Sequence, residues 1–160
     1  MNAVELLKQD HVRIKGLLEE LNNTTERAVK KRAELLGKIE MELTLHTHIE
    51  EEILYPAYKK AGGKEEEEMY YEAKEEHRTV DSLVVPDLKQ TDPGTLEFAG
   101  RAKVCKELLE HHIEEEEEEM FPKAEELLGE QLEALGEQME AARNAMKKEL
   151  TAKAKAQAAA

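Results

Sequence analysis

The chain has 160 residues and 18.2 kDa, enough for one domain with a real core. Its formal net charge of −14 and pI near 4.9 work against nucleic-acid backbones and anionic membrane surfaces, and no stretch approaches the roughly 20 apolar residues of a bilayer span. A single cysteine, Cys105, excludes an internal disulfide and, with no CxxC, a thiolate zinc site.

The N-terminus MNAVELLKQDH lacks a basic region followed by an apolar run, so a soluble, cytoplasmic protein is expected. Ala, Leu, Glu and Lys dominate and β-branched runs are short, which predicts an almost wholly helical chain. Apolar residues recur at alternating steps of three and four, the spacing of a helix facing a bundle core. The first such seam reads Val4, Leu7, His11, Ile14, Leu18 and Leu21, so a histidine sits on the buried stripe. NNTT at 22–25 marks the first break.

The second seam reads Leu36, Ile39, Leu43, His46, Glu50, Ile53 and Ala57, where a histidine and a glutamate interrupt the core face one turn apart. AGG at 61–63 ends it, and Tyr70, Ala73, His77, Val80 and Val84 form the third. TDPG at 91–94 is the next break, with Asp92 and Pro93 suited to a helix start. The fourth seam is Phe98, Ala102, Cys105, Leu109, His112 and Glu116. Pro56, Pro86 and Pro122 are expected to kink or end their helices, because each lacks an amide proton and crowds the preceding turn. Beyond Pro122, Leu128, Leu132, Leu135, Met139, Ala142 and Met146 predict a fifth amphipathic helix packed on the bundle or on a partner, and TAKAKAQAAA is expected to fray.

A shift of 66 positions superposes His11 on His77, Ile14 on Val80, His46 on His112, Glu50 on Glu116, Tyr55 on Phe121 and Pro56 on Pro122. Two helical hairpins therefore share one plan. The predicted fold is all-α: an up-down-up-down four-helix bundle over 1–122, an additional C-terminal helix over 123–150 and an Ala/Lys-rich tail over 151–160. Antiparallel pairing sets the first connection near residue 29, beyond NNTT, so helix 1 or its loop must extend further than the turn signal.

A lone histidine on an apolar face is commonly a hydrogen-bonded core residue. Four of them beside two carboxylates are a different matter, since buried unpaired carboxylates cost several kcal/mol each and repel one another. A metal removes that cost. Imidazole with carboxylate and no thiolate suits iron, manganese or zinc, and two bridging carboxylates with four imidazoles leave positions for a water or hydroxide bridge and a further ligand. The glutamate-first Glu-x-x-His of ferritin-like di-iron bundles does not occur. His48 and His111 lie off the seam, Cys105 reads as a small buried thiol, the other glutamates of 65–68 and 114–119 as solvated faces, and Tyr55 and Phe121 as an apolar cap.

Asp10-His11, HTHIEEEILYP at 46–56, Glu76-His77, HIEEEEEEMFP at 112–122 and the GEQLEALGEQMEAAR stretch resemble the hemerythrin-like HHE cation-binding family over roughly residues 4–146. The resemblance implies a non-haem di-iron centre with metal ligands His11, His46, Glu50, His77, His112 and Glu116, the glutamates bridging. Oxygen-carrying members have a further histidine where this chain has Ala73, which leaves coordination room and makes Tyr70 and Glu119 candidate replacements. The expected function is binding or sensing of dioxygen or a related ligand such as nitric oxide or peroxide. The alternatives are a redox enzyme for peroxide or nitric oxide served by an electron-donor protein, an iron donor for iron–sulfur cluster repair, and a non-catalytic sensor whose fifth helix binds a partner. No catalytic residue is assigned.

Overall fold

The computed structural model describes residues 1–160 and contains five helical rods and no strand. The first, α1, is Ala3–Asn22, opened by a capping box in which Asn2 and Glu5 satisfy each other's backbone amides. The second, α2, runs as Val29–Ile49, a π-helical turn Glu50–Leu54, and Tyr55–Ala61. The third, α3, is Lys64–Thr79, a π turn Val80–Val84, and Val85–Gln90. The fourth, α4, is Leu96–Glu115, a π turn Glu116–Met120, and Phe121–Leu128. Finally α5 spans Gln131–Ala159. Consecutive rods pack on one another, α1 also meets α4, and α5 lies on α1 and α2, which makes a four-helix bundle with an added C-terminal helix.

Of the two outcomes expected at the prolines, an end to the helix does not occur; each of the three follows a π turn and sits in the first turn of the resumed α-helix. The wider turn bonds Tyr55 N–H to the Glu50 carbonyl, Val85 to Val80 and Phe121 to Glu116, and so accommodates a residue that has no amide proton. Each π turn inserts one extra residue, which moves the buried face by one position. After Glu50 the core therefore takes Leu54 and Tyr58, both at most 3% exposed, while the expected Ile53 and Ala57 are only partly buried. In α3 the fully packed residue is Val85 rather than Val84 for the same reason.

The connections differ in detail too. Asn23–Ala28 forms the first loop, extending beyond the turn signal as the antiparallel pairing requires. Arg32, 3% exposed, ties it to the third loop: Nε donates to Thr24 Oγ1 at 2.9 Å, Nη1 donates to the Pro93 carbonyl at 2.6 Å, and the guanidinium lies over Phe98. Asp92 does not start α4. Its Oδ1 accepts from Gly94 N–H at 2.8 Å, and Thr95 is the cap, accepting from Phe98 N–H at 3.2 Å.

The apolar core falls into two clusters. One joins Leu7, Ile49, Leu54, Met120 and Phe121 with Leu132 and Met139 of α5; the other joins Ile14, Leu18, Ile39, Leu88, Phe98 and Leu109. A polar layer lies between them. The seam of α5 is thus spent on the bundle, and residues 151–160 beyond it are exposed while remaining helical to Ala159.

Gly136 permits the close approach of α5 to the N-terminus. A Cβ there would lie 2.8 Å from Asn2 C and 2.9 Å from Ala3 N, and nearer still to the Met1 carbonyl oxygen. Alanine gains about 1 kcal/mol of helix propensity, but overpacking against backbone costs about 1–3 kcal/mol. Gly136→Ala should therefore lower the thermal midpoint by a few degrees, whereas Gly100→Ala, with open space around its Cβ, should raise it. Calorimetry of both variants checks the pair.

Candidate metal centre

The three-and-four spacing places His11, His46, His77 and His112 on the inner faces of the four bundle helices, with Glu50 and Glu116 one turn beyond the second and fourth. All six are at most 4% exposed. Two groups form, one of His11, His46, Glu50 and Glu116 and one of Glu50, His77 and His112, each with its donor atoms within 4.8 Å of one another. Glu50 belongs to both. Its Oε1 lies 2.5 Å from His46 Nε2 and its Oε2 lies 3.1 Å from His77 Nε2. Glu116 Oε1 lies 2.9 Å from His112 Nε2 and 3.5 Å from His11 Nε2.

Those close approaches lack hydrogen-bond geometry. His11 Nε2, His46 Nε2, both oxygens of Glu50 and Glu116 Oε1 have no hydrogen-bond partner although fully enclosed. Orphaned buried polar groups of this kind cost about 1–3 kcal/mol each, more when charged, unless something fills the space between them. Lone pairs converging from imidazole and carboxylate are the donor set of a cation, so the residues fit one.

Outside the inner ring lies a second ring of carboxylates. Asp10 Oδ2 accepts from His46 Nδ1 at 3.0 Å, Glu76 Oε1 from His112 Nδ1 at 2.8 Å, and Glu117 Oε1 from His11 Nδ1 at 2.8 Å, while Glu51 Oε2 approaches His77 Nδ1 at 3.6 Å. The repeat relates Asp10 to Glu76 and Glu51 to Glu117. A carboxylate on Nδ1 holds the proton there, which turns Nε2 inward as a free donor. Asp10 is in turn clamped by Arg13 from α1 and Arg143 from α5.

Tyr55 corrects its assignment as a purely apolar cap. Its ring does stack on His77, but its hydroxyl enters the polar layer, donating to Glu116 Oε2 at 2.9 Å and standing 3.3 Å from His77 Nε2. Burial, with Glu116 and Glu50 beside it, pushes its pKa well above 10, so it remains a proton donor. Phe121 has no such handle and stacks on His11. Tyr70 is half-buried with its ring 6.3 Å from that of Tyr55, and Glu119 is exposed, so neither joins the six. His48 is half-buried and His111 exposed, both apart from the two inner groups. Cys105 is buried and its thiol is pushed up to about 11 by burial.

The outer carboxylates escape periodicity because each lies next to a seam position rather than on it, and Tyr55 because it falls midway between the seam positions Ile53 and Ala57. For the carboxylates a signal did exist: acid matches acid at both pairs under the 66-residue shift.

Charge at the centre sets a pH dependence for the metal-free chain. Burial alone would pull His46 down, but Glu50 and Asp10 raise it to about 10, and His77 and His112 are also raised against burial by their carboxylate neighbours. Burial raises and histidines lower the two glutamates, which leaves Glu50 well below 4.5 and Glu116 at about 2. The histidine contribution to stability is complete below 6.5 and is lost as pH rises toward about 10; the glutamate contribution is complete above 4.5 and lost as pH falls toward about 2. Metal-free protein should therefore be most stable between about pH 4.5 and 6.5, the ordinary values of the two residue types. Metal supplies the positive charge without protons, so loading should remove the alkaline decline. Thermal midpoints against pH, with and without metal, test this.

Comparison with known proteins agrees with the geometry. The profile of the hemerythrin HHE cation binding domain matches residues 2–124. A crystal structure of a hemerythrin HHE cation binding domain-containing protein from Mycobacterium kansasii superposes with a TM-score of 0.77 at 30% identity, covering 94% of this chain and 93% of that one. An uncharacterised protein of Mycobacterium tuberculosis is 31% identical over 128 residues, 76% of this chain and 71% of its own length. A DNA nickase of a Nostoc species is 29% identical over 122 residues, 76% of this chain, and this chain spans only 33% of its length.

Proposed function

This chain belongs to the hemerythrin HHE cation-binding family, and we propose that it is a non-haem di-iron protein that binds dioxygen or a related small ligand. The observation that carries the reading is the sharing of Glu50, neither of whose oxygens has a hydrogen-bond partner, between two groups of inward donors. His11 and His46 would hold one ion and His77 and His112 the other, with Glu50 between them and Glu116 Oε1 facing His11 and His112. Iron bound there supplies reversible electron transfer to a small ligand.

The chain's own residues do the rest. Asp10, Glu76 and Glu117 hold Nδ1 protons and so orient three imidazoles. Tyr55 fixes one oxygen of Glu116 and leaves the other free to point inward. The apolar clusters above and below exclude bulk water and strengthen every charge interaction in the layer. The formal charge of −14 disfavours a DNA backbone, so the reading takes nothing from the nickase.

Two observations favour a second reading, redox turnover of peroxide or nitric oxide. Ala73 supplies no ligand, and the Tyr55 hydroxyl stands beside His77 as a proton donor. Iron content of anaerobically purified protein, with optical spectra before and after oxygen, tests the first reading. A chain that fails to hold about two irons per molecule sinks it. Steady-state consumption of peroxide or nitric oxide with an electron donor supports the second, and a stable adduct without turnover counts against it.

A further inference from the structure

The two halves of the bundle are not equally closed around the centre. A cavity of about 130 Å³ runs between α2, α3 and α4 to His77 and His112, walled by Leu43, Val80, Leu108 and Leu109. Asp81 and Leu108 are exposed and mark its mouth.

The internal repeat explains why this side is open. Thr47, Thr79 and Val80 line the cavity, and their counterparts 66 positions away are Ile113, Arg13 and Ile14, all larger. Ile14 and Ile113 are buried, and Arg13 pairs with Asp10 one turn away on α1 and reaches across to Glu42 of α2. Arg143 of α5 closes on the same Asp10. The consequence is visible in the two outer carboxylates: the Asp10 side chain is 1% exposed and that of its counterpart Glu76 is 27% exposed.

We propose that this cavity admits and holds a small uncharged ligand, of the class of nitric oxide, dioxygen or hydrogen peroxide, on its way to the His77 and His112 metal position. The proposal rests on the metal-centre reading above. The volume corresponds to about four water molecules at ~30 Å³ each, ample for a diatomic or triatomic molecule and too small for anything much larger than a benzene ring. Its wall is largely apolar, while Glu76 and Asp81 flank it with negative charge and repel anions. The other metal position has no comparable approach through α1, because Arg13, Ile14 and Arg143 occupy that side.

Xenon-pressurised crystals of the full chain as purified should show xenon against Leu43, Val80 and Leu109, since apolar cavities near this size take up xenon. In a Thr47→Ile/Val80→Ile variant, which gives this side the residues of the other, the xenon should disappear. Stopped-flow association of nitric oxide with that variant, loaded with iron to the wild-type level, should slow by about tenfold or more. A separate variant at the mouth, Asp81→Asn, should speed azide association about tenfold.

Absence of xenon from the wild-type cavity, or a wild-type nitric oxide rate in the filled variant, overturns the proposal and leaves the metal-centre reading standing. An unchanged azide rate in Asp81→Asn overturns the selection by charge. Protein that holds xenon but no iron overturns the metal-centre reading itself, and with it the ligand's destination.

Discussion

Replacing Glu50 with alanine should empty both metal positions at once. Its two oxygens are the atoms that reach His46 on one side and His77 on the other, and it is the residue common to both groups. No neighbour can take its place. Glu51 lies on the outer side of His77, facing Nδ1, and one oxygen of Glu116 is held by Tyr55. Loss of even an outer partner costs 10–100-fold in metal affinity, so loss of this shared ligand should cost more than about 100-fold at each position. Competition titration against a chelator reads both positions, with His77→Ala as the comparison that should weaken chiefly one. An E50A protein that keeps one ion at wild-type affinity would remove the bridging role.

The second large effect is expected at Asp10, which the metal need not touch. Asp10→Ala should destabilise the fold by about 3–5 kcal/mol, or about 6–20 °C in thermal midpoint, because it strips a buried carboxylate from two arginines and an imidazole together. It should also weaken metal binding at the His46 position by about 10–100-fold, since the imidazole loses the acceptor that orients it. Glu76→Ala provides the internal control. Glu76 occupies the equivalent place opposite His112 but has no arginine on it and is partly solvated, so its loss should cost under about 2 kcal/mol while still loosening the His112 position. Equal stability losses at Asp10 and Glu76 would show that Arg13 and Arg143 contribute nothing. The clamp also gives α5 a role at the site: Arg143 joins the C-terminal helix to the first imidazole pair through one carboxylate.

Much of this architecture is legible along the chain. A side chain's face on an α-helix depends only on local spacing, so three-and-four periodicity is enough to bring His11, His46, His77 and His112 inward, with Glu50 and Glu116 one turn on. The 66-residue repeat supplies the hairpin plan, and the same spacing separates His46 from His48. Even the long first connection is implied, because antiparallel helices must bring His11 and His46 to one level.

Tyr55 shows where that logic stops. In an unbroken α-helix the residue five places after Glu50 leaves the core face, and the sequence alone offers Ile53 and Ala57 instead. The π turn before Pro56 absorbs one residue and rotates Leu54, Tyr55 and Tyr58 inward, which delivers a phenol to Glu116. Proline signals an interruption but not its form; whether the helix ends or widens depends on packing that holds both sides of the break in one rod. The outer carboxylates depend likewise on which helix lies opposite, for Asp10 and Glu76 reach a partner within their own hairpin and Glu117 one in the other.

Local periodicity thus determined by itself the all-helical bundle, its hairpin repeat and the six inward polar residues, because spacing along a helix is a property of the chain alone. Only the tertiary structure decided the Tyr55 hydroxyl, the arginine clamp from α5 and the single open side at His77 and His112, because each requires two segments far apart in sequence to meet.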